Sequence, residues 1–124
     1  MTEDELKDRF KQFSLRIINL VDNLPQAVST SAIARQIIRS GTSPAANYRA
    51  ACIAKSDKDF INKLKMVEEE LDETLYWIEL LIESKKIEKA RLDSLYQENK
   101  ELLSIVIKSI TTMRRNNESL DLLR

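Results

Sequence analysis

Arg35, Arg39 and Arg49, with Lys55 just beyond them, lie in a stretch from 23 to 56 that contains no carboxylate. At about 100° per residue, Arg35, Arg39, Thr42 and Arg49 share one stripe of a helix, and Gln36, Ser40, Ser43 and Asn47 share the stripe beside it. Two chemistries suit such an arginine row. Its planar forks can clamp the carboxylates of Glu68, Glu69, Glu70, Asp72 and Glu73, within the subunit or between subunits. Alternatively it faces solvent and contacts phosphate, which makes Arg35, Arg39, Arg49 and Lys55 the nucleic-acid candidates.

Other chemistry is excluded by what the chain lacks. It has no histidine, which removes the commonest general base and most transition-metal sites. Glu70 and Glu73 stand at i and i+3, but without a Glu-x-x-His pair they read as a solvated or ion-paired face and not as a di-metal centre. One glycine cannot build a phosphate-binding Walker loop. Cys52, between Ala51 and Ile53, reads as a small buried hydrophobe with no base to activate it. Tyr48, Tyr76 and Trp77 are candidates for stacking on bases, yet at helical spacing beside Leu75 and Ile78 the last two fit core or interface packing better. No enzyme, metal or cofactor is expected.

The elements that must carry these residues are helices. Apolar residues make up 43% of the chain and charged residues 32%, with one Gly and two Pro, which is the balance of long amphipathic helices in a single domain over residues 1–124. Twenty basic and twenty acidic side chains cancel, so no overall field draws the protein to nucleic acid or anionic lipid. A charged start and short apolar runs predict no signal peptide and no membrane span, and one cysteine fits a reducing, cytoplasmic location.

Leu6, Phe10, Phe13, Ile17 and Leu20 recur at three- and four-residue steps and predict a helix over 3–22. Ser29, Thr30 or Ser31 is expected to cap a second helix over 29–55. Ser56 and Asp57 cap a third over 57–84, with a heptad seam from Phe60 through Leu64, Val67, Leu71, Thr74 and Ile78 to Leu81. A fourth, over 87–115, carries Leu92, Leu95, Leu102, Val106 and Ile110, interrupted by Asn99, a polar residue of the type that fixes register. Residues 116–124 are expected to fray. Short connections favour antiparallel neighbours, hence an all-α, up-down-up-down four-helix bundle.

Gly41 and Pro44 interrupt the second helix. Pro44 lacks the N–H that would bond Ser40, so the helix either kinks there or restarts with Thr42 or Ser43 as a new cap. The side-chain pattern stays in phase across the break, which favours one long helix kinked near Gly41 and Pro44. Ile33, Ile37, Ile38, Tyr48 and the alanines spread over more of its circumference than a monomeric bundle covers, so copies of the chain are expected to share it.

RQIIRSGTSPAANYRAA, followed by KSDKDFINKLKMVEEELDETLYWIELL, resembles the bacterial four helix bundle protein family, also called the 23S ribosomal RNA intervening-sequence protein family. Arg39, Ser40, Ser43, Asn47, Asp59, Phe60, Glu73, Thr74, Tyr76 and Trp77 stand where that family has its pattern, whereas Tyr-Arg-Ala-Ala after Asn47 departs from the usual Ile-Ala-Glu-Gly. The resemblance implies an up-and-down bundle in a ring-like homopentamer of undefined role. It makes Ser43, Asn47, Tyr48, Glu73, Tyr76 and Trp77 structural or interface candidates. Accessory proteins of diversity-generating retroelements are similar, and they bind nucleic acid and a reverse transcriptase through a basic surface that this neutral chain does not share. The partners expected are other copies of the chain, with RNA or DNA, or a separate protein, as alternatives, and no membrane.

Overall fold

The structure, a computed structural model, describes residues 1–122. Four helices follow one another: α1 (Glu3–Asp22), α2 (Val28–Cys52), α3 (Asp57–Glu83) and α4 (Lys89–Leu122). No strand occurs among the described residues.

Local chemistry sets most of the boundaries. The Thr2 hydroxyl accepts from the Glu5 N–H at 3.1 Å and the Glu5 carboxylate accepts from the Thr2 N–H at 3.4 Å, a reciprocal cap that starts α1. Ser56 accepts from the Asp59 N–H at 3.1 Å and starts α3. That cap holds Ser56 in extended backbone, so α2 stops at Cys52 instead of 55 and Lys55 falls in the connection. The expected hydroxyl cap of α2 is not made: Ala27 is the N-cap, and the Thr30 hydroxyl turns back to the Pro25 and Ala27 carbonyls. Lys85 takes the left-handed position after α3 at φ 61°, where its N–H and that of Lys86 close on Ile82 and Leu81. α4 continues as helix over 116–122, where fraying was expected; residues 123 and 124 lie outside the described chain.

Pro44 sits inside one unbroken α2, so the restart is not taken. The Thr42 hydroxyl donates back to the Ile38 carbonyl, one turn earlier, which is an interior role and not a cap. Gly41 answers a packing need: a Cβ built there would stand 2.7 and 2.8 Å from the two γ carbons of Ile17 on α1. Its backbone is ordinary right-handed helix, so the missing side chain, and not conformational freedom, is what α1 requires.

Each helix lies against the next, and α1 also meets α4 along a thinner side. The contacts run in opposite chain order along α1–α2, α2–α3 and α1–α4. Ile17 faces Gly41 and Phe10 stacks on Tyr48 with ring centroids 5.0 Å apart; Ser40 meets Thr74 and Asn47 meets Glu70; Arg16 meets Ser94 and Arg9 meets Glu98. Phe10, Phe13, Ile17, Ile37, Leu64, Leu71, Ile78, Leu81, Leu102 and Val106 form the fully buried core. Arg9 clasps the thin side: Nε donates to Glu98 at 2.9 Å, Nη2 to the same carboxylate at 2.6 Å, and Glu101 is 2.9 Å away. The Glu98 hydrogen bonds hold the guanidinium pKa above its already high ordinary value.

Candidate functional site

The polar residues picked out on α2 converge on α3. Ser40 is fully buried and accepts a hydrogen bond at 2.9 Å from the equally buried Thr74 hydroxyl, which also lies 2.8 Å from the Glu70 carbonyl. Asn47 donates to the Glu70 carboxylate at 2.9 Å. Arg39 pairs with Glu73, and the same carboxylate accepts from the Trp77 indole at 2.9 Å. Gln36 accepts from Arg39 at 3.2 Å. One carboxylate therefore joins the arginine of α2 to the aromatic residue of α3. This seam is structural chemistry: Thr74–Ser40, Asn47–Glu70 and Arg39–Glu73 cross between the helices and fix α2 against α3, while Gln36 and Trp77 hold the Arg39–Glu73 pair from within their own helices.

The candidate residues are divided by the fold. Arg39 belongs to the seam, whereas Arg35 and Arg49 are exposed on α2 and have no carboxylate within ion-pair distance among the described residues. Arg49 opens onto a groove of about 580 Å³ between α1 and α2, lined also by Asp4, Asp8, Ile18, Ala45 and Ala46, so its surroundings are mixed in charge. Lys55 is exposed beyond the helix end and leaves the arginine stripe. Ser43 is half-buried and Tyr48 buried. Tyr76 is 53% exposed, which removes it from the core; its ring meets Trp77 edge-on at 5.0 Å, and Trp77 is half-buried against the core. Asn99, the polar interruption in the apolar pattern of α4, is fully buried, and neither side-chain atom has a partner among the described residues.

Cys52 is half-buried beside Tyr48. Burial pushes its thiol pKa up, the Tyr48 hydrogen bond pulls it partly back, and Glu3 adds to the rise. Tyr48 is likewise raised, first by burial and then by Cys52. The thiolate is the reactive form, so alkylation of Cys52 by iodoacetamide at pH 8 is expected to run at least about tenfold slower in the folded protein than in the urea-unfolded chain. Equal rates in a stopped time course would show an accessible, ordinary thiol.

An all-α bundle whose second and third helices are joined by an Arg–Glu–Trp seam is the class these observations define. A family model described as 23S rRNA-intervening sequence protein matches residues 3–108, and the chain belongs to that family. Among solved structures it is similar to a protein of unknown function from the S23 ribosomal protein family of Bacteroides thetaiotaomicron. The two share 38% identity and superpose with a TM-score of 0.83, over 90% of this chain and 99% of that one. No curated protein matches. No helix among the described residues is long and apolar enough to cross a membrane.

Proposed function

We propose that the protein is a non-enzymatic scaffold that assembles with copies of itself. The observation that carries this reading is the surface left on α2. After the other helices have covered Ile37, Pro44, Tyr48 and Ala51, the side chains of Val28, Ala32 and Ala46, and of Ile53 just past the helix end, stay exposed, Val28 at 92% and Ile53 at 82%. A helix with apolar groups outside its buried face has area to give to a neighbour. Ile18 adds to it across the α1–α2 groove. Family resemblance sets the expected number of copies at five. The chain lacks histidine, the commonest base for a nucleophile, and burial raises the pKa of the Cys52 thiol, which disfavours the reactive thiolate.

Light scattering across a concentration series tests the reading. The wild-type chain is expected to give a multiple of its monomer mass at micromolar concentration, and Ala46→Glu, which places a charge on the exposed stripe without touching the core, is expected to give monomer. Wild-type monomer throughout would reject self-assembly.

Nucleic-acid binding is the second reading, favoured by the exposure of Arg35 and Arg49 without ion-pair partners. With two phosphate contacts, affinity for a short RNA would fall about tenfold between 50 and 200 mM salt, and no binding at either concentration rejects it.

A further inference from the structure

We propose that the outward faces of α2 and α3 are two complementary halves of one contact, α2 of one copy docking on α3 of the next; this rests on the self-assembly reading above. On α2, Arg35, Arg39, Thr42, Ala46 and Arg49, continued by Ile53 just past the helix end, recur in alternating steps of four and three, and all but half-buried Thr42 are exposed. On α3, Met66, Glu69, Glu73, Tyr76, Leu80 and Glu83 recur in the same alternation, with Met66, Glu69, Tyr76 and Glu83 exposed. That spacing is the period of a helix–helix seam. Neither series is the one that faces its own core, which is Ile37, Gly41, Pro44, Tyr48 and Ala51 on α2 and Leu64, Val67, Leu71, Thr74, Ile78 and Leu81 on α3. Apart from the Arg39–Glu73 pair, each helix thus carries a second seam that a single copy leaves unused.

The two unused seams have opposite charge. α2 has no carboxylate, and α3 has no cation from Met66 to Glu83. Among the described residues only Arg39 and Glu73 of these series pair, leaving Arg35 and Arg49 on one seam and Glu69 and Glu83 on the other. Both free pairs are separated by fourteen residues, about 21 Å along a helix. Thr42 lies midway between the arginines and Tyr76 midway between the glutamates. Docking that brings both charge pairs together therefore seats the Tyr76 ring over Thr42, where Ala46 leaves room for it. The exposed Met66 and Tyr76 supply apolar contact, while the charges select partner and register. The two faces differ, so a copy that docks its α2 on one neighbour and offers its α3 to another makes a head-to-tail contact, which repeats from copy to copy until a ring closes.

Charge reversal tests the pairing in the full-length protein. E69K/E83K and R35E/R49E alter only exposed positions, and circular dichroism is expected to match the wild type. Each variant alone is expected to associate at least tenfold more weakly, because both of its faces then carry one sign. Mixed in equal amounts, they are expected to bind each other through both faces, giving mixed species of alternating subunits, read by native mass spectrometry. These species are open chains or even-membered rings, since alternation cannot close a ring of five. Raising salt from 50 to 500 mM is expected to weaken the unsubstituted assembly at least tenfold. Variants that assemble as the wild type does, a mixture that stays monomeric, or a salt-indifferent assembly would each overturn the pairing while leaving self-assembly intact. A monomeric wild type would overturn both.

Discussion

Replacing Gly41 by alanine destabilises the protein by about 1–3 kcal/mol, although alanine is the better helix former by about 1 kcal/mol. The reason lies on α1. Ile17 is fully buried, and both of its γ carbons would stand under 3.0 Å from the new methyl. These atoms are on the stiff, β-branched part of the side chain, next to its backbone, so they cannot swing aside as the end of a long side chain would. Relief requires α1 and α2 to separate, which loosens Phe10 against Tyr48 on the same interface. Urea unfolding followed by circular dichroism measures the loss. Ile17→Ala costs about 2–5 kcal/mol alone by leaving a cavity. In that background Gly41→Ala is expected to become neutral or stabilising, because the methyl then enters vacated space and the helix propensity gain remains. A Gly41→Ala protein more stable than the wild type would show that α1 does not need the close approach.

Asn99→Leu acts in the opposite direction and is expected to stabilise the protein by about 2 kcal/mol, roughly 8 °C in Tm. Asn99 is fully buried on α4 between Leu95 and Leu102, and both its amide nitrogen and its carbonyl oxygen lack partners among the described residues. Two polar groups taken out of water without replacement bonds cost about 1–3 kcal/mol each, and leucine keeps the same branching and side-chain heavy-atom count with no such cost. Asn99→Asp should lose several kcal/mol, since it adds a charge, or a proton taken up against the medium, at the same site. Scanning calorimetry separates these outcomes. An Asn99→Leu protein less stable than the wild type by more than about 1 kcal/mol would mean that the amide is satisfied in the native protein.

Much of the fold is legible in the sequence because the core obeys simple spacing. Leu6, Phe10, Phe13 and Ile17 on α1, and Leu64, Val67, Leu71, Ile78 and Leu81 on α3, are buried as their periodicity requires. The Arg39–Glu73 pair is legible for an electrostatic reason: α2 has cations and no carboxylate, and α3 supplies an acidic cluster. What periodicity does not reveal depends on partners distant in sequence. Gly41 beside Pro44 looks like a hinge in one dimension, and only the approach of Ile17 gives it another role. Tyr76, flanked by Leu75 and Trp77, reads as packing, yet the turn of the helix carries it outward. The apolar rhythm of α4 fades after Met113, but its backbone bonds continue to Leu122, so a fading core pattern was not the end of the helix. The reciprocal Thr2–Glu5 cap, by contrast, is present in the sequence as Thr-x-x-Glu.

Self-assembly through the outer surface of α2 is the claim on which the functional account stands, and native mass spectrometry of the purified chain, with and without a short RNA, tests it most directly. The account predicts a homo-oligomer, of five copies if the family resemblance extends to stoichiometry, at the same mass whether RNA is present or not. A chain that stays monomeric at micromolar concentration, or that assembles only when RNA is added, would contradict it.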